Sequence, residues 1–327
     1  MTRISALGGL DAATYRRSDL HSEERVWVEK NCYIDICIEL IHALNLEPRA
    51  MLSFVFGLDF EGDQWTFFKP VHEELRTLYG IDIQELNVWR PLIEHAQEHL
   101  VMGRLISAEA DAYWLPDTAG TDYRTKHAKT TIVIESLDLE AGTLGYFHNS
   151  SYHQLGGEDF RRTFRLDTEP DPTFLPLFAE FVRVDRLVHR SPKNLAEASI
   201  ELLRRHVGRR TLTNPIDRFE SRFNVELPKL QALGIDHYHA WAFATIRQLG
   251  AAFELAAIQL DWLVGLGHVR FDGPAHSFAR IAANAKALIL KAARAVITRK
   301  PLSSNELFHD ASTAWQHGMR ELDAALS

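Results

Sequence analysis

The chain has 327 residues, 46% hydrophobic and 24% charged, with a formal net charge of −8 at pH 7, the composition of an ordinary globular protein of two domains or one large one. The acidic balance argues against a nucleic-acid partner, whose phosphates call for a basic excess, and no run of about 18 apolar residues is present to span a membrane. The opening stretch Met1–Leu10 is too short and interrupted for a signal peptide, and the only two cysteines, Cys32 and Cys37, suit a reducing, cytoplasmic setting because they are badly placed to bridge each other.

Residues 1–22 are polar and punctuated and read as an irregular lead-in. A helix then opens at Asn31, with Ile34, Cys37, Ile38, Ile41 and Leu44 recurring at helical spacing. Asn31 is a good N-cap, which sets Cys32 at the first helical position, where the helix dipole and unpaired amides favour a thiolate. Cys37 lies about 140° further around the helix, on the apolar face, and reads as a small buried hydrophobe. Cys32 points to the side carrying Asp35 and Glu39. Glu47-Pro48 stops the helix. The apolar run 50–59 fits a buried helix or strand, 65–68 a short strand, 71–78 a helix ended by Tyr79-Gly80, and 91–102 an amphipathic helix with proline in its first turn.

The pattern turns strand-like at 105–115. A loop over 118–126 leads to His127, and 130–137 is rich in β-branched residues and reads as a strand. Ala141-Gly142 marks a turn, and 143–149 returns as the hairpin partner. Helices followed by an antiparallel sheet give an α+β fold. The breaker cluster Glu169-Pro170-Asp171-Pro172 then suggests a boundary near 175, dividing the chain into the lead-in 1–22, an α+β domain 23–175 and a helical bundle 176–327. Ser191-Pro192 and Asn214-Pro215 open bundle helices, the second interrupted by Pro228. One long Ala-rich helix is expected over 236–265 and another from Gly273-Pro274 to Arg299. Ser303 and Glu306 have the spacing of a capping box before the last of four or five helices.

A cysteine nucleophile needs a base for its proton and a group that fixes the base's tautomer. His127 precedes the strongest strand, and Asn149 ends that strand's hairpin partner, so the spacing of neighbouring strands predicts that the two side chains meet. A helix-borne Cys followed by a sheet-borne His and Asn is the chain order of papain-like enzymes. The expected triad is Cys32, His127 and Asn149, with Asp138 or His148 as substitute orienters. The Cys32 backbone N–H is a natural oxyanion donor. Asn31, Asp35, Asp111, Tyr113 and Asp117 are further candidates for orienting groups or pocket walls.

In its first half the chain carries Asn31-Cys32, then Asp111-Ala112-Tyr113-Trp114-Leu115-Pro116, His127, and His148-Asn149. This order resembles the papain-like domain at the start of the butirosin-biosynthesis acyltransferase and its relatives, with Asn149 where Asp is commoner. Over most of its length the chain more closely resembles an uncharacterised bacterial family encoded beside seryl-tRNA-synthetase-like amino acid:carrier-protein ligases. That family shares the strings "Asn-Cys-Tyr-x-Asp" and "Tyr-Phe-His-Asn", present here at residues 31–35 and 146–149. The resemblance implies a papain-like cysteine acyltransferase that takes an aminoacyl group from a carrier protein's phosphopantetheine thioester to a small-molecule or peptide acceptor. It implies no resident cofactor. A cysteine hydrolase (thioesterase, amidase or peptidase) and a non-catalytic carrier-protein-binding module are the alternatives.

Other features carry less. His95 and His99 sit at i, i+4, but no third ligand is evident, and a solvated helix face is the plainer reading. His237-Tyr238-His239 reads as a cap or surface feature. Arg161-Arg162, Arg165, Arg204-Arg205 and Arg209-Arg210 are basic clusters that suit either an acidic partner or solvent. Trp241, Trp262 and Trp315 fall on helices and read as core.

Overall fold

A computed structural model describes residues 3–169 and 176–327. In chain order it contains β1 (Ile4–Ser5), α1 (Cys32–Ala43), β2 (Phe60–Glu61), β3 (Gln64–Trp65), α2 (His72–Tyr79), β4 (Asp82–Glu85), α3 (Leu92–Val101), β5 (Arg104–Asp111), β6 (Lys129–Asp138), β7 (Thr143–His148), β8 (Ser151–Gly156), α4 (Gly157–Thr163) and β9 (Ala179–Arg183). Six further helices follow: α5 (Pro192–Gly208), α6 (Pro215–Leu233), α7 (Ile235–Ala244), α8 (Ile246–Gly265), α9 (Asp272–Thr298) and α10 (Asn305–Leu326). The fold is α+β with an antiparallel sheet and a helical C-terminal region. Among the described residues no helix is long and apolar enough to cross a membrane.

Two compact units account for the chain, and both are discontinuous. The sheet unit comprises residues 1–22, 31–46 and 72–189; the helical unit comprises 23–30, 47–71 and 190–327. The expected boundary near 175 borders the undescribed stretch, and the described chain on its far side is still sheet: β9 inserts between β4 and β5. The lead-in is also part of that unit, since Ile4 and Ser5 pair with Leu137 and Ser136 of β6. Residues 23–30 and 47–71 belong instead to the helical unit.

The sheet runs β4-β9-β5-β6-β7-β8, with β1 added along β6. Side chains alternate between its faces. One face carries Ile106, Ala108, Ala110, Ile132, Ile134 and Tyr146, which pack with Ile93, Ala96 and Leu100 of α3 into a hydrophobic core. The other carries Ser107, Asp111, Phe147, Tyr152 and Glu180 by the same alternation, and α1 crosses it. Tyr33 of α1 donates to Glu180 Oε2 at 3.0 Å, and Ser107 donates to the same oxygen at 3.2 Å. Tyr15 packs edge-on to Phe147 at 5.9 Å and hydrogen-bonds Glu39 of α1.

In the helical unit α8 is buried nearly all round, as its Ala-rich sequence implies. Its central polar group is anchored: Gln259 Nε2 donates to Ser53 Oγ at 2.7 Å and to Ser199 Oγ at 2.9 Å. Glu254, also on α8, accepts the backbone N–H groups of Val26 and Trp27, and the Trp27 indole donates to Ala282 O of α9. Several expectations change here. The helix expected over 236–265 breaks at Thr245, whose φ −125 and ψ −80 leave the helical region while its hydroxyl donates back to Trp241 O at 2.7 Å, the local competition that bends helices. Pro228 does not interrupt α6, whose buried Phe223, Leu227 and Leu230 hold it through the proline. The capping box does not form: Ser304 takes the N-cap of α10 with no side-chain hydrogen bond. Of the three helix-borne tryptophans, Trp315 is buried, whereas Trp241 and Trp262 are only partly covered.

Candidate functional site

Asn31 caps α1, its Oδ1 accepting the Ile34 N–H at 3.0 Å with the cap backbone extended. Cys32 is therefore the first helical residue, half-buried, and Cys37 is buried. The Cys32 N–H is one of the first-turn amides that have no acceptor within the helix. Thiol, helix N-terminus and first-turn amide thus converge, and such an amide can stabilise an oxyanion. Beneath this turn the Tyr33 hydroxyl sits between Glu180 and His72 Nε2, 2.7 Å away. Burial, followed by the neighbouring Cys37 and Glu180, pushes the Tyr33 phenol well above its ordinary pKa, so it stays a hydrogen-bond donor.

His127 stands just before β6, exposed, with Nδ1 2.6 Å from Asp111 Oδ2 at the end of β5. The β5–β6 register creates this pair by setting Asp111 opposite Lys129. Tyr113 stacks on the His127 ring at 4.3 Å between centroids and 14° between planes, fixing the ring's plane. Asp111 shares the sheet face that α1 crosses, four residues and about 13 Å along β5 from Ser107 at a strand rise of about 3.3 Å per residue. Cys32 and His127 are not hydrogen-bonded to each other among the described residues. A cysteine-bearing helix end and a His–Asp pair therefore share one face.

Asn149 is not the partner of His127. It occupies the turn between β7 and β8 in the left-handed region, φ 46, a conformation that Asn tolerates better than most residues. The β6–β7 register pairs Val133 with Phe147, and continued, it sets Asn149 level with Thr131, about 13 Å short of His127 along the strand. Asp138 lies at the opposite end of β6 and accepts the Ala141 N–H in the hairpin turn. Asp35 is buried inside α1's packing and its Oδ1 lies 3.0 Å from His21 Nε2. Of the expected orienting groups, Asp111 is the one hydrogen-bonded to His127, and Tyr113 stacks on the same ring.

The sequence comparisons divide the chain near residue 190, where it leaves the sheet unit for the last time. Residues 16–184 match the DUF1839 N-terminal domain, and residues 192–324 match the DUF1839 C-terminal domain. The chain belongs to the DUF1839 family. No curated protein matches it.

This DUF1839 chain holds another His–Asp pair on the opposite, α3-bearing face. Asp117 Oδ2 lies 2.5 Å from His148 Nδ1, the ring's Nε2 lies 2.7 Å from Thr130 Oγ1, and Tyr146 donates to Asp117 Oδ1 at 2.5 Å. His148 is 1% exposed. Burial raises the Asp117 carboxyl, but the His148 hydrogen bond and charge, the His153 charge and the Tyr146 hydroxyl outweigh it and hold the pKa below the ordinary value. The sheet itself separates Asp117 and His148 from Cys32, so neither serves the Cys32 site directly.

Sequence reasoning missed the groups that support α1. Ring-buried His21 bridges Glu39 Oε1 at 2.5 Å and Asp35 Oδ1 at 3.0 Å, and Glu39 also accepts from Ser18 N and the Tyr15 hydroxyl. The signal was present: two acids one turn apart in an otherwise apolar helix must find buried partners. His95 proves buried rather than solvated, and His99 stacks on Phe181 at 5.3 Å. Among the described residues no group of three or more His, Cys, Asp or Glu side chains is placed to hold a metal ion.

Proposed function

We propose that this protein is a papain-like cysteine acyltransferase in which Cys32, His127 and Asp111 form the working triad. The observation that carries the reading is the shared sheet face of a capped, half-buried Cys32 at a helix start and a His127 held by Asp111. Asp111 accepts the Nδ1 proton, which leaves Nε2 as the basic nitrogen. His127 Nε2 takes the Cys32 thiol proton, and the sulfur attacks the carbonyl of an acyl thioester carried on a partner protein's phosphopantetheine arm. The tetrahedral oxyanion is met by the Cys32 N–H, and collapse expels the carrier thiol, which takes the proton held by His127. An amine or hydroxyl acceptor then attacks the enzyme thioester, giving up its proton to His127 and restoring Cys32. The aminoacyl donor and the carrier-protein partner follow from the family resemblance described above, and a cytoplasmic setting from the two unbridged cysteines.

Hydrolysis is the second reading, favoured by one observation: the His127 side chain is 69% exposed, so water has access to the base. The test is to incubate wild type and Cys32→Ala with an aminoacyl-loaded carrier protein, with and without small amine acceptors, and follow the carrier by mass spectrometry. Wild type alone should unload the carrier and form the amine adduct. Free acid regardless of acceptor would assign a hydrolase, and equal unloading by both proteins would end the cysteine mechanism.

A further inference from the structure

The helical unit contains a cleft of about 340 Å³, at the lower end of the range of small-molecule sites. Phe54, Leu58, Phe67, Phe68 and Val71 supply apolar walls. Phe54 and Phe68 lie near parallel, 6.5 Å apart at 17°, and Phe67 is 60% exposed, which leaves its ring open to a ligand. At the cleft's edge stand His206 and Arg209, where α5 ends.

The charges here are one-sided. None of the lining residues is acidic, and Lys69 joins Arg209 among them. The neighbouring cations are engaged: Arg205 pairs with Glu201, Arg210 with Asp323, and Arg218 with Asp59. Arg209 has no carboxylate partner among the described residues. Its guanidinium instead donates to His206 Nδ1 at 3.1 Å. Since arginine only donates, that nitrogen carries no proton, and the charge of the pair rests on Arg209. A planar guanidinium anchored through one N–H keeps its other donors for a carboxylate or phosphate, which it can hold through two parallel bonds.

We propose that this cleft binds a small amphipathic monoester or acid: an apolar body seated on the phenylalanines, ending in one carboxylate or phosphate held by Arg209. This site lies wholly within the helical unit, and the proposal does not depend on the chemistry at Cys32.

The experiment titrates the full-length protein with octanoate, octyl phosphate, octanol and octylamine by calorimetry or ligand-observed NMR. Octanoate or octyl phosphate should bind saturably, with the tighter of the two naming the head group, and octanol and octylamine at least about tenfold more weakly, the weight of one charge-assisted contact. Arg209→Glu should cost the anion about tenfold or more while Arg209→Lys retains most of the binding. Both variants change an exposed side chain, so circular dichroism should match wild type. No saturable binding of either anion, equal binding of octanoate and octanol, or undiminished binding to Arg209→Glu would overturn the proposal.

Discussion

Asp111→Asn is the most informative change at the candidate site, because it alters a proton's position while leaving shape almost intact. His127 Nδ1 lies 2.6 Å from Asp111 Oδ2, and a carboxylate there can only accept, so Nδ1 must carry the proton and Nε2 is left free to act as base. An asparagine can turn its amide nitrogen to Nδ1, which moves the proton to Nε2 and disables the ring. In a buried serine-protease triad the same change costs about 10⁴ in kcat. Exposure sets a smaller figure here. The His127 and Asp111 side chains are 69% and 36% exposed, so water can substitute in part, and the amide can also present its oxygen. A hydrogen bond to a charged group contributes about 1.5–3 kcal/mol, which translates to a loss of roughly 10- to 100-fold. The Tyr113 stack should keep the ring in plane, so folding and thermal stability should hardly change. The assay is the rate of Cys32 alkylation by iodoacetamide across roughly pH 5–9, alongside acyl-carrier unloading. Asn149→Ala serves as the comparison and should stay within about twofold of wild type, the scale of a surface substitution. If Asp111→Asn reacts like wild type while Asn149→Ala is crippled, the assignment of the orienting group is wrong.

Two further outcomes follow from buried charges. His21→Leu removes the ring that lies between the buried Asp35 and Glu39 carboxylates, and removing one member of a buried charged cluster costs about 3–5 kcal/mol; because other bonds remain, those from Ser18 and Tyr15 to Glu39 among them, about 3 kcal/mol is expected, seen as a fall of roughly 6–12 °C in Tm, and an unchanged Tm would contradict the bridging role. Asp117 has a folded pKa below its ordinary value, so the stability it contributes is fully present above about pH 4 and is lost as pH falls through the folded pKa. Asp117→Asn should therefore be less stable at neutral pH yet lose less stability on acidification below about pH 4, and urea midpoints that run parallel for the two proteins would refute the linkage.

What the sequence made legible was local. Asn31 and Cys32 declare a helix start through capping chemistry that needs only neighbouring residues, and the β-branched run before Leu137 declares a strand. What it concealed was set by pairing at a distance. Strand β6 has a neighbour on each side, β7 through a short hairpin and β5 through the long 112–128 connection. The hairpin is visible in sequence, and it drew attention to Asn149. The other pairing, Asp111 opposite Lys129, supplies the actual partner of His127 and has no local signature. Strand β9 was hidden for the same reason: five residues that insert between β4 and β5 gain their strand character from both neighbours. The lead-in was underestimated because its His21 only makes sense beside two acids on α1.

Two His–Asp pairs with nearly the same hydrogen-bond pattern lie on opposite faces of one sheet, and exposure decides between them. Asp117–His148–Thr130 has the connectivity of a hydroxyl-type triad, yet its imidazole is 1% exposed and both ring nitrogens are engaged, Nδ1 with Asp117 and Nε2 with the Thr130 hydroxyl. A base so placed has no route for exchanging a proton with a substrate. Its geometry instead ties the loop carrying Asp117 to the end of β7 and the start of β6, directly behind the stretch that presents His127. His127 has the complementary properties, with one nitrogen held by Asp111 and the rest of the ring open. The exposed pair is suited to chemistry and the buried pair to holding the strand ends that frame it. Loss of His148 should accordingly register first in stability and only secondarily in the reactivity of Cys32.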